Sequence, residues 1–115
     1  MKIKVGALTY ELVTLTEVEE HSMLSNLLGK CDRTKLKIYI KQSLPDELYR
    51  SVLLHEVLHT IHEQYMNSVD GPACEEDIVL LMEHGIMAVF VDNPHLVEFL
   101  FPSEKKNART KSKTS

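Results

Sequence analysis

The sequence predicts an α+β fold, and three observations carry that expectation. A chain of 115 residues with 43% hydrophobic residues holds enough apolar matter for one core and too little for two domains. Its first 40 residues place apolar and polar side chains at alternate positions, the period of half-buried strands. Beyond residue 43 the apolar residues recur at three- and four-residue steps, the period of helices. We therefore expect one domain over 1–104, with a small, mainly antiparallel sheet followed by two long helices and a short third one.

The elements follow in order. Lys2-Ile3-Lys4-Val5 and the stretch 8–14 read as two strands, with Gly6 between them as a turn or bulge. Residues 17–28 are acidic and fit a short helix. A second hairpin is expected from 27–31 and 36–40, joined by the polar Asp32-Arg33-Thr34-Lys35. Ser43, Pro45 and Asp46 form a helix-start signature in which side-chain oxygens serve free backbone N–H groups. From there Leu48, Val52, Leu53, Val57, Leu58, Ile61 and Tyr65 keep helical spacing, so the first long helix is placed over 44–66. The segment 67–72, ending in Gly71-Pro72, breaks it. The second helix is placed over 73–91 and is apolar almost all round, which predicts the most buried element of the fold. Asn93 as cap and Pro94 at the first helical position start a short last helix that Pro102 ends.

Charge and composition exclude several classes of function. The 13 Lys and Arg against 17 Asp and Glu give −4, but Lys105, Lys106, Arg109, Lys111 and Lys113 lie at the C-terminal end. Residues 1–104 thus hold 8 cations against 17 acids, a balance of −9. A body this acidic is disfavoured as a nucleic-acid binder. Residues 105–115 read as a basic, disordered tail, because they hold almost nothing that can be buried. No apolar run approaches the length of a membrane span, and no secretory signal is expected. Two cysteines, Cys31 and Cys74, are too few for a disulfide scaffold and fit a reducing cytoplasm.

The chemistry concentrates in His55-Glu56-Val57-Leu58-His59, a His-Glu-x-x-His motif inside the first long helix. At 100° per residue the two imidazoles point the same way, one turn apart, so both reach one tetrahedral metal ion, with zinc the natural choice. Glu56 projects to the side of that face. A carboxylate there serves as general base toward a water that the metal acidifies. The competing reading is a pair of polar residues on an exposed helix face. A third protein ligand is required. Glycine and histidine at the two positions that would continue the motif in a metzincin are absent, since His62 and Tyr65 stand there. The following helix opens on Glu75, Glu76 and Asp77. Helical periodicity sets Glu75 on the apolar stripe and Glu76 nearer its boundary, which slightly favours Glu75. A first-turn acid facing the helix dipole is the ordinary alternative for either.

These residues carry a resemblance. His55-Glu56-Val57-Leu58-His59 followed by Glu76-Asp77-Ile78-Val79 resembles the small gluzincin-type zinc metallopeptidases, notably the ImmA/IrrE-like metallo-endopeptidases and the compact phage and mobile-element proteins related to them. The likeness covers roughly 29–100, including a strand before the motif, Gly85, and Asp92-Asn93-Pro94-His95 after it. In that family the third ligand is a Glu followed three residues on by a small apolar residue. The resemblance therefore selects Glu76, with the larger Val79 at that position, and Glu75 stays the alternative on periodicity.

The resemblance implies a zincin-like fold in which the sheet packs on an active-site helix and a glutamate helix. It implies one zinc ion on His55, His59 and Glu76, and Glu56 as the catalytic residue. The strand 36–40 is the candidate edge that aligns an extended substrate. Tyr65 and His62 are the candidates for oxyanion support. The implied activity is hydrolysis of peptide bonds in a protein substrate, such as a phage or host repressor or other regulator, in the cytoplasm of the host. The rival expectation from the same residues is a non-catalytic, zinc-stabilised interaction domain. A third is a metal-free regulator that uses its basic tail on DNA.

Overall fold

The computed structural model describes residues 1–66 and 75–103, without the side chains of His21, Met66 and Glu75. The expected breaker at 67–72, Cys74 and the basic tail at 105–115 lie outside these residues. The described chain forms β1 (Lys2–Val5), β2 (Leu8–Leu15), α1 (Glu17–Met23), β3 (Gly29–Asp32), β4 (Lys37–Lys41), α2 (Asp46–Ile61), a wider π turn (His62–Met66), α3 (Glu75–Asp92) and α4 (Pro94–Leu100). The class is α+β, as expected.

The sheet order is β1-β2-β4-β3. Both predicted hairpins form: β1 pairs antiparallel with β2, and β3 with β4. Gly6 turns the first at φ 62°, a value that suits glycine. In the second, the Asp32 carboxylate accepts hydrogen bonds from the Thr34 hydroxyl and the Lys35 N–H. The central pair, β2 with β4, is parallel, so the sheet is mixed where a mainly antiparallel one was expected. The chain leaves β2, runs through α1 and β3, and returns to lay β4 beside β2.

This topology corrects a second expectation: β4 is interior, and β3 is the edge on that side. The sequence of β4 fits its place. Ile38, Tyr39 and Ile40 are buried in succession, because helices cover both faces of an interior strand. On one face Ile3, Val5, Tyr10, Ile38 and Ile40 meet Val52, Leu53, Val57 and Ile61 of α2, Val89 of α3, and Leu96 and Leu100 of α4. On the other, Leu15, Leu24 and Tyr39 form a small cluster beside α1.

Two capping expectations are also corrected. The Ser43 N–H and hydroxyl donate to the Glu20 carboxylate at 3.3 and 3.1 Å, tying α1 to the start of α2, whose N-cap is Pro45. Asn93 does stand at the N-cap of α4, yet its side chain caps nothing there. It reaches across to β1 instead: Oδ1 accepts the Lys4 N–H at 2.8 Å, and Nδ2 donates to the Lys4 carbonyl at 2.7 Å. A ring nitrogen of His95 lies 2.7 Å from the Lys2 carbonyl. The α3–α4 corner thus covers the outward backbone edge of β1, and among the described strands β3 is the edge on the other side.

The helix expected to be most buried is not. Along α3 only Gly85 and Val89 are buried among the described side chains, and Val79, Met87 and Val91 are exposed. One side of α3 packs on the body, and no described element covers the other. Gly85 sets how close that packing is: a Cβ added there would lie 2.6 Å from Ile61 Cγ2 and 3.0 Å from Tyr65 Cδ2.

Candidate metal centre and its cleft

Helix α2 sorts its residues by angle. Leu53, Val57, Thr60 and Ile61 face the core and are buried, while Leu48, Val52, His55 and His59 fall within about 60° of one another on another side. Glu56 lies between the two sets and is only 7% exposed. Glu56 thus sits on α2 beside the histidine face and lines the same cleft as His55.

His55 and His59 are both exposed, with Nε2 atoms 3.1 Å apart and ring planes at 81°. Two nitrogens on one tetrahedral zinc, each at about 2.05 Å, would be about 3.3 Å apart. The imidazoles thus stand within a few tenths of an ångström of the spacing such an ion requires. Without an ion, the same approach needs one Nε2–H to donate to the other ring in its acceptor tautomer. As a donor set, two imidazoles at this spacing fit zinc.

The remaining ligand of the expected set is placed differently. Glu76 is exposed in the first turn of α3, and among the described residues no three His, Cys, Asp or Glu side chains converge as ligands. The structure brings the two histidines together and does not bring Glu76 to them. The Glu75 side chain and the whole of Cys74 lie outside the described residues. His62 opens the π turn and is exposed, Tyr65 is half-buried against α3 near Gly85, and His84 and His95 are exposed.

A cleft of about 380 Å³ opens beside the pair, lined by Leu27, Leu28, Gly29, Leu48, Ser51, Val52, His55 and Glu56. The strand β3 and the residues leading into it form one wall, and α2 forms the other. Gly29 permits that approach, since a Cβ added there would lie 2.8 Å from Val52 Cγ1 and 3.4 Å from Glu56 Cγ. Leu27, Leu28 and Leu48 stay exposed at the rim, by 55, 41 and 40%. The residue-by-residue reading missed this wall, because which strand lies beside α2 depends on strand order. The local signal was a leucine pair preceding a glycine at the start of a predicted strand.

Next to the cleft, the Cys31 thiol is pushed up to about 11, first by burial and then by the negative charges of Glu63, Glu56 and Asp32. Tyr10 is raised as well, chiefly by burial. Arg33 pairs with Glu63 at 3.6 Å on the exposed side. Cys31 is therefore an inert thiol at neutral pH. Because an unfolded cysteine ionises near 9.0, the unfolded chain loses its proton first. Its contribution to stability is complete below pH 9 and falls as pH rises toward 11. Urea unfolding at pH 8 and pH 10.5 should show a larger loss for the wild type than for Cys31→Ala. Equal losses would remove Cys31 from the account.

No helix among the described residues is long and apolar enough to cross a membrane. No protein-family model, no curated protein and no solved structure matches the chain.

Proposed function

We propose that the chain is a zinc-dependent metallo-endopeptidase of minimal gluzincin type that hydrolyses peptide bonds in a regulatory protein. The observation that carries this reading is the 3.1 Å approach of His55 and His59 Nε2, with His55 and Glu56 both lining one open cleft. His55 and His59 would hold one zinc ion; the third ligand that the resemblance names is Glu76, with Glu75 as the alternative, and Glu76 would have to approach from the first turn of α3, where it stands exposed and apart from the pair. When bound, zinc supplies a water of lowered pKa and polarises the scissile carbonyl. Glu56 takes the proton of the attacking water and passes it to the leaving nitrogen.

An extended substrate segment adds its backbone to the outer side of β3 (Gly29–Asp32), where no other described strand pairs with it. The leucines at the rim and Val52 in the wall then accept an apolar side chain near the scissile bond. A phage-type repressor or another host regulator in the cytoplasm is the class of substrate this reading names.

Metal analysis tests the foundation. Purified protein should hold one zinc per chain, and His55→Ala should lower zinc affinity at least tenfold and the melting temperature with it. Comparing Glu75→Ala with Glu76→Ala for zinc retention decides the third ligand, since only one should lose the ion. Zinc-free protein, or His55→Ala with unchanged metal content and stability, would sink the proposal.

A further inference from the structure

Helix α3 reads as an interior helix in sequence, yet the described elements cover one side of it. The buried positions Gly85 and Val89 mark the inner side. Directly opposite them Leu80, His84, Met87 and Val91 follow at steps of four, three and four, within about 60° of one another around the helix. That is the seam spacing of a helix that pairs with another helix. Leu80, Met87 and Val91 are exposed by 46, 59 and 71%. Three exposed apolar side chains in line, with the exposed His84 among them, are the kind of feature that marks an interaction surface on a small domain.

Charge selects what covers it. From Glu75 to Asp92 the helix carries five acids, Glu75, Glu76, Asp77, Glu83 and Asp92, and no Lys or Arg. Glu76 and Glu83 border the stripe on one flank. Pairing two copies of this helix would bring two sets of carboxylates together with no Lys or Arg between them. An anionic bilayer surface is opposed for the same reason, since helices that lie on membranes carry Lys and Arg beside the apolar face. The basic segment 105–115 has cations but only Ala108 to offer the stripe. A helix with Leu or Ile at its seam and Lys or Arg at the flanking positions satisfies both the stripe and its border. We infer that the outer face of α3 is a docking surface for a basic amphipathic helix of a partner protein. This surface is separate from the histidine pair, so it stands or falls independently of the peptidase reading.

The test uses the full chain and two labelled synthetic helices with leucines at three- and four-residue spacing, one flanked by lysines and the other by glutamates. The lysine helix should bind saturably, at least tenfold tighter than the glutamate helix, and more weakly as salt rises. Met87→Asp and Val91→Asp are surface changes that should leave the thermal transition in place and weaken binding at least tenfold. Equal binding of the two helices, or binding unchanged in both variants, would overturn the proposal. A concentration-dependent dimer in sedimentation that Met87→Asp abolishes would assign the face to a second copy and overturn it too. So would a tenfold gain in peptide affinity when Lys105, Lys106, Arg109, Lys111 and Lys113 are all changed to Gln, because the chain's own tail would then be the occupant.

Discussion

Glu56→Gln should keep the fold and the zinc and lose peptide-bond hydrolysis by about 10³-fold, within the 10²–10⁴ span typical of removing a general base. The loss corresponds to about 4 kcal/mol of transition-state stabilisation. The argument rests on shape and placement. Glutamine has the size of glutamate, so the packing of this 7%-exposed side chain against the wall at Gly29 and Val52 is retained. Its amide cannot take a proton from water. His55 and His59 are untouched, so metal content separates this variant from His55→Ala. The measurement is proteome-wide detection of new N-termini after incubating host or phage extract with zinc-loaded wild type and zinc-loaded Glu56→Gln. Identical cleavage patterns with zinc in both would remove the enzymatic reading and leave a zinc-stabilised interaction domain.

Asn93→Ala should lower the unfolding free energy by about 3 kcal/mol, read from urea or thermal denaturation. Asn93 is 1% exposed and serves three backbone groups: the Lys4 N–H, the Lys4 carbonyl and, at 2.7 Å, the Val89 carbonyl. Its carboxamide acts as a one-residue strand against β1, because it offers one acceptor and one donor side by side as a backbone does. Alanine can do neither. Leaving partly buried backbone groups without partners costs about 1 kcal/mol each or more, and for a domain of this size the sum shifts the melting temperature by about 10–20 °C. Asn93→Asp should do no better, since it keeps the acceptor, loses both donated bonds and buries a charge. A loss under about 1 kcal/mol for Asn93→Ala would show that α3 and α4 hold β1 by apolar contact alone.

The two predictions also show where reading the sequence succeeds and where it does not. The side placement of Glu56 and the shared direction of His55 and His59 follow from helical geometry within five residues, and no other part of the chain needs to be known. Asn93 is the opposite case. As a residue followed by proline it reads as a helix cap, and it occupies the cap position, yet its side chain goes to a strand 89 residues away in sequence. A local capping bond and a bond to a distant backbone edge use the same atoms, and only the arrival of β1 beside that corner decides between them. Ser43 gives the same lesson, with Glu20 taking its hydroxyl.

The sequence by itself determined the α+β class, the two hairpins, the helix that carries the histidines and the angular relation of His55, Glu56 and His59, because each follows from interactions within one or two turns or across one short connection. Tertiary structure decided the parallel pairing of β2 with β4, the choice of β3 as an edge among the described strands, the leucine-rimmed cleft between β3 and α2, and the exposure of α3. Those depend on which surfaces meet after the chain has turned back on itself. Apolar periodicity tells a helix which side to bury, and it does not tell how many sides its neighbours can cover; for α3, the described elements cover one.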